Sequence, residues 1–165
     1  MIVREGISSD AEKLAHLIQQ VEESSQYMLW EAGERNIQPE SQQKMIESMR
    51  EKDNSIILVA EQNNELVGYL FAIGGNARRN KHAAYIVIGI HKGFRGKGVG
   101  TLLFGELEKW ASKHNLHRLE LTVVTRNEAG LSLYKKMGFE IEGTKRDSLL
   151  INGEYQDEFY MAKLL

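Results

Sequence analysis

A basic, glycine-rich turn, Arg95-Gly96-Lys97-Gly98-Val99-Gly100, constrains this chain more than any other feature because of what flanks it. Upstream, Ala83 to Ile90 (AAYIVIGI) is a short apolar run that reads as a buried strand. Downstream, Thr101 to His114 carries Leu103, Leu107 and Trp110 at the spacing of one helix face. The turn therefore joins a strand to a helix. Its glycines leave backbone N–H groups uncovered, and those groups, with the positive end of the helix dipole, form a site for phosphate oxygens. Arg95 and Lys97 add fixed positive charge. The pattern predicts a ligand bearing a pyrophosphate; a tight connection with no ligand is the alternative that the turn alone leaves open.

The kind of phosphate ligand is narrowed by what the turn fails to match. A Walker loop needs Lys then Ser or Thr directly after its closing glycine; here Gly98 is followed by Val99, although Gly93 stands at the opening position. The dinucleotide fingerprint G-x-G-x-x-G also fails, since no glycine stands at position 101 after Gly96 and Gly98. A nucleotide triphosphatase and a Rossmann oxidoreductase are both disfavoured, and with them a general nucleotide-phosphate binder.

At 165 residues, 42% hydrophobic and 27% charged, the chain is expected to form one domain spanning 1–165. A net charge of -2 gives no global footprint for nucleic acid, so none is expected as a partner. The N-terminus MIVREGISSD has no apolar signal-peptide region and no stretch approaches the ~18 apolar residues of a span, so a soluble, cytoplasmic protein without membrane contact is expected. With no cysteine there is no covalent Cys intermediate. The histidines His16, His82, His91, His114 and His117 show no ligand spacing, so no metal site is expected.

Along the chain, Ile2 to Glu5 reads as a strand, and Ser9-Asp10-Ala11-Glu12 as a capping box opening a helix with Leu14, Leu17, Ile18 and Val21 on one face. Trp30 to Asn36 reads as a loop with no structural duty, and Pro39 begins a helix over Glu40 to Arg50. Ser55 to Glu61 and Glu65 to Ile73 are strands separated by Gln62-Asn63-Asn64, with Gly74-Gly75-Asn76 ending the second. After the glycine turn come a strand, Leu116 to Val124, and a helix, Asn127 to Met137. Strand, helix and strand make a βαβ unit, which places Ala83–Ile90 and Leu116–Val124 in parallel. Ser148 to Ile151 and Glu154 to Met161 flank Asn152-Gly153, a strong hairpin signal.

These residues resemble the GNAT superfamily of acetyl-CoA-dependent N-acetyltransferases. Its pyrophosphate signature stands here as Arg95-Gly96-Lys97-Gly98-Val99-Gly100, and a second signature follows in Leu121 to Phe139, where Asn127, Leu133-Tyr134 and Gly138-Phe139 keep the family spacing. The resemblance covers nearly the whole chain. It implies an α/β fold with a central mixed, splayed sheet of about seven strands flanked by about four helices. It implies that the backbone from Arg95 to Thr101 (Gly96, Lys97, Gly98, Val99 and Gly100 between them) holds the CoA pyrophosphate. Pantetheine would pair with the backbone of Ile88 and Ile90, Asn127 would bind its amide or a bridging water, and Tyr134 would place its phenol near the sulfur.

The implied chemistry is direct attack of a neutral primary amine on the thioester, with Tyr134 as general acid toward the departing thiolate. The general base is open. Several relatives place a Glu roughly where Tyr85 stands here, so that role does not carry over; Glu120, on the following strand, and His91, at the mouth of the turn, are the candidates. Further departures are His91-Lys92, where an acid and a proline are frequent, and Gly130, where Ala is usual. Acceptor-binding residues are expected around Trp30, where Glu31 and Glu34 suit a cationic amine and Arg35 a carboxylate. The hairpin around Asn152-Gly153 and Tyr155 would close that pocket. The resemblance leaves the acceptor open among an amino acid, a polyamine, an aminoglycoside-like compound and a peptide N-terminus. A second reading is an acyl-CoA-binding or sensing module without turnover. A homodimer is compatible with family habit and is not visible in the sequence.

Overall fold

The computed structural model describes residues 1–165. A seven-stranded sheet runs through it in the order β1-β2-β3-β4-β5-β7-β6. Its strands are β1 (Ile2–Glu5), β2 (Ile56–Gln62), β3 (Glu65–Gly74), β4 (Ala83–Ile90), β5 (Arg118–Val124), β6 (Glu140–Ile151) and β7 (Glu154–Leu164). The helices are α1 (Ala11–Ser24), α2 (Pro39–Arg50), α3 (Val99–Lys113) and α4 (Glu128–Lys136). All strand neighbours are antiparallel except β4 and β5, which run parallel as the strand–helix–strand pattern requires. The β2–β3 turn uses Asn63 and Asn64, both at positive φ, 51° and 63°. Asn tolerates that conformation in a two-residue hairpin turn.

Strand alternation divides the apolar residues between two faces. One face buries Leu58, Leu70, Ala84, Ile86, Leu119 and Leu121 against Leu103, Phe104 and Leu107 of α3. The opposite face buries Ile57, Val59, Tyr69 and Phe71 beneath Leu14, Leu17 and Ile18 of α1 and Ile46 of α2. α1 and α2 cover the β1–β4 half of their face. On the β5–β7 half, Tyr85 and Tyr160 stay exposed and Arg118, Glu120 and Thr122 half-buried.

Two expectations are corrected here. The capping box at Ser9 is absent: Ser8–Asp10 form a single 3-10 turn, and the buried Asp10 carboxylate instead takes the Ile7 N–H (2.8 Å) and two bonds from Arg4 (2.8 Å each). The last hairpin is longer than its apolar residues suggest, because β6 starts at Glu140 rather than Ser148. It is an edge strand with mostly exposed side chains, so its first half carries no apolar alternation to read. No helix is long and apolar enough to cross a membrane.

Candidate active site

The glycine turn has the backbone the sequence asks for. Gly96 and Gly98 sit at φ 72° and 83°, in the left-handed region that penalises a Cβ, and Gly98 caps α3, the helix starting at Val99 rather than Thr101. The first helical bond here is Leu102 N–H to Gly98 O (3.1 Å), and no N–H from Arg95 through Thr101 donates to a backbone carbonyl. Seven successive donors are therefore free at the positive end of a 15-residue helix. Gly100 lets α3 approach α4, since a Cβ there would stand 2.6 Å from Leu133. Arg95 turns away from the cradle: its guanidinium ties the Ile90 carbonyl (3.2 Å) to Ser24 Oγ (2.9 Å) and so fixes the loop. Lys97 lies over the Phe94 ring (5.4 Å), and Lys136 reaches Thr101 Oγ1 (3.3 Å), leaving both cations beside the cradle.

Beside this cradle the sheet opens. β4 and β5 pair only at Ala83–Arg118, Ala84–Leu119 and Tyr85–Glu120, and beyond those pairs no ladder joins them. The His91 N–H donates toward β3, to Val67 O (2.9 Å). By alternation Ile90 and Ile88 turn their N–H and C=O groups toward the gap, while their side chains pack against the α3-side core. At the apex, side chains replace the ladder, as Tyr85 and Thr122 join hydroxyl to hydroxyl across the opening at 2.9 Å.

Tyr134, on α4, packs edge-on against Phe104 (5.9 Å) and Phe139 (6.2 Å). Burial pushes its phenol up to about 12, with a smaller contribution from nearby Tyr85, and no hydrogen bond within the chain engages it. It is a protonated donor throughout the neutral range. Asn127 caps α4, its Oδ1 accepting from Gly130 N–H at 3.0 Å. A Cβ at Gly130 would lie 2.6 Å from Asn127 Nδ2, so the amide would have to shift to make room for one.

The remaining sequence candidates are distributed differently. Glu120 sits at the apex on the uncovered face, its Oε2 taken by Arg118 Nε (2.7 Å), and Arg118 also bonds Glu142 (3.0 Å). These three side chains, with Tyr85, Thr122 and Tyr160, line a cavity of about 360 Å³. His91 spends Nδ1 on the Gly93 N–H (3.1 Å), inside the cradle loop. In the loop after α1, Trp30 is exposed and stacks under Arg35 (5.1 Å), and Glu34 accepts from the Glu31 N–H (2.9 Å). Arg35 is bonded through Nε (2.8 Å) and Nη2 to the buried Glu22. The loop read as lacking a structural duty thus neutralises a buried acid of α1. Sequence reasoning missed Glu22, the Tyr85–Thr122 link and the buried Glu158. Only the link had a local signal, since Tyr85 was already visible as a departure.

A parallel pair of strands that separate beside a helix N-terminus with free amides defines a class: sheets that take an acyl-CoA thioester into the opening. The model of the Acetyltransferase (GNAT) family matches residues 17–139. The chain belongs to that family and is an N-acetyltransferase with acetyl-CoA as its cosubstrate. It is 36% identical to the L-amino acid N-acetyltransferase AaaT of Escherichia coli over 111 residues, which are 65% of this chain and 67% of that protein. A GNAT-family acetyltransferase structure from Streptococcus pneumoniae superposes with a TM-score of 0.95 at 28% identity, covering 99% of this chain and 98% of that one. The Salmonella typhimurium yncA structure, solved with acetyl-CoA, shares the fold at a TM-score of 0.89 and 17% identity, covering 100% and 94%.

Proposed function

We propose that residues 1–165 act as one N-acetyltransferase domain that moves acetyl directly from acetyl-CoA to a small primary amine in a ternary complex. The observation that carries this reading is the run of free N–H groups from Arg95 to Thr101 at the mouth of the β4–β5 gap. Those donors fit a pyrophosphate, and the inward-turned amides of Ile88 and Ile90 fit an extended chain carrying amides of its own. Acetyl-CoA supplies the activated acyl thioester. The protein holds it by backbone groups, presents the protonated Tyr134 phenol as acid toward the sulfur, and leaves the uncovered face open to the amine. The amine must lose a proton, and Glu120, beside Tyr85 and Thr122 in the open cavity, receives it through water in this reading. With no cysteine, no covalent relay competes with direct transfer. The similarity to an L-amino acid N-acetyltransferase supports an α-amino acid or a comparably small amine as acceptor.

The test is thermal unfolding with acetyl-CoA at about 100 times its Kd. Linkage gives about 2.7 kcal/mol, a rise on the order of 5 to 10 °C for a chain of this size. ATP and NAD should leave Tm unchanged, and thiol release should then appear with members of an amine panel. No shift with acetyl-CoA overturns the reading of the cradle; a shift without thiol release from any amine favours a sensing module.

A further inference from the structure

Three acidic side chains of this chain are buried, and two have a guanidinium. Arg4 holds Asp10 and Arg35 holds Glu22. Glu158, 9% exposed, forms no ion pair: its Oε1 accepts from Ser148 Oγ (2.6 Å), and its Oε2 has no partner and is not enclosed. With one oxygen tethered, the other open and no guanidinium on either, this carboxylate can take a cation that arrives from outside.

The backbone around it is built to hold this side chain in place. Between the register pairs Lys145–Glu158 and Leu149–Gln156, four steps of β6 face two of β7. This bulge puts Asp147 at φ 49°, held by Asp157 Oδ1 on the Asp147 N–H (2.8 Å), and swings Ser148 onto Glu158. Bulges that re-aim a side chain, and non-glycine residues in the left-handed region, gather at functional sites. Along β7 the same face carries Gln156, Glu158 and Tyr160. Tyr160 lines the 360 Å³ cavity, and Gln156 lines a second of about 120 Å³ beside Tyr27 and Arg126. Of the neighbouring cations, Arg126 pairs with Glu154 (3.6 Å), while Lys145, opposite Glu158 on β6, is exposed, forms no ion pair and extends into solvent rather than onto the carboxylate.

β5 lies between β7 and the opening. At about 4.8 Å per strand, Glu158 is roughly 10 Å from the middle of the gap, beyond the ~3 Å reach needed to take a proton from the attacking nitrogen. We propose that Glu158 is a specificity-determining residue that receives a second positive charge of the acceptor. The preferred acceptor is then a diamine, or an amine with another cationic group several carbons from the reacting nitrogen. This inference rests on the acetyltransferase reading above and names its acceptor class.

The experiment compares butane-1,4-diamine with butylamine, by thiol release, in the wild type and in Glu158→Gln. The wild type should prefer the diamine by about 10- to 100-fold in kcat/KM, the range for a hydrogen bond to a charged group. In Glu158→Gln the diamine KM should rise by that factor, with kcat, butylamine kinetics and the acetyl-CoA Kd unchanged, and Glu158→Asp should recover part of the preference. If Glu158→Gln does not fold, Ser148→Ala, which frees the carboxylate from its tether, should weaken diamine KM alone. Equal use of both amines by the wild type, or a preference that survives Glu158→Gln, overturns the proposal. Turnover of a neutral α-amino acid with none of the diamine also overturns it while the acetyltransferase reading stands. Failure of acetyl-CoA to bind at all removes both.

Discussion

Replacing Tyr134 with Phe removes one oxygen from the site and little else. The ring keeps its edge contacts with Phe104 and Phe139, and the lost hydroxyl has no partner in the chain to leave unpaired. Folding stability at neutral pH should therefore move by no more than about 0.5 kcal/mol. A positioned acid contributes about 10²- to 10⁴-fold, equivalent to about 3 to 5 kcal/mol of barrier, so kcat should fall by that factor while the acetyl-CoA Kd stays within about threefold. Stability at high pH gives an independent check on the environment assigned to the phenol. Unfolded, it titrates near 10; folded, near 12. The folded state thus holds the proton more tightly, and the preference is fully present below pH 10. It is lost as the pH rises to 12, by about 2.7 kcal/mol. Tyr69, likewise raised by burial, is common to both proteins, so the difference between them isolates Tyr134. Urea unfolding at pH 8 and pH 11.5 should show the wild type losing more stability than Tyr134→Phe. A variant with kcat within about threefold of wild type refutes the acid role; parallel stability losses refute the burial argument.

Gly98→Ala places a Cβ in open space but at φ 83°, so its cost is conformational, about 1 to 2 kcal/mol. Either Tm drops by a few degrees or the loop relaxes and acetyl-CoA binding by calorimetry weakens about tenfold; a variant unchanged in both contradicts the cradle geometry. Asp10→Asn should cost about 2 to 4 kcal/mol at pH 7 by leaving Arg4 short of its main partner. Arg4 holds the Asp10 carboxyl below the usual range, so its contribution is present above about pH 4 and fades as pH falls through the lowered folded value. The gap between wild type and variant in urea unfolding should narrow at low pH, and a constant gap counts against the pairing. Gly130→Ala gains helix propensity but pushes Asn127 off its cap, two effects near 1 kcal/mol of opposite sign. Tm should barely move while the acetyl-CoA Kd weakens, and an unchanged Kd removes Asn127 from the cofactor site.

The half of the site that binds backbone to backbone was legible from the chain. Gly96, Gly98 and Gly100 are forced by positive φ or close approach, and each such demand leaves a glycine at a fixed spacing. Strand and helix order was equally readable wherever apolar side chains are buried, on both faces in β2 and β3 and on one in β5. The half made of side chains was not. Glu22 and Arg35 meet across 13 residues of chain. Glu158 reads as one more charge in a charged strand until the β6 bulge is seen to bring Ser148 onto it. Glu120 is legible on its strand, but the Arg118 guanidinium that it shares with Glu142 joins residues 24 apart in the chain, on strands separated by β7.

The opening between β4 and β5 explains why these two kinds of information separate. Parallel strands that stop pairing after three residues leave main-chain donors and acceptors without partners on both edges, at a cost that folding alone does not recover. The apex is closed by Tyr85 and Thr122 through their side chains, so the opening does not propagate into the paired region. The exposed edge is short, and Arg95 occupies the Ile90 carbonyl at its far end, which limits strand addition by an unrelated chain. What remains is a strip of free amides that continues into the seven free N–H groups of the turn. A ligand filling that strip must alternate amide groups along an extended chain and end in phosphates. In the proposed reading the amine comes from the uncovered face, where every group that could tell one amine from another is a side chain.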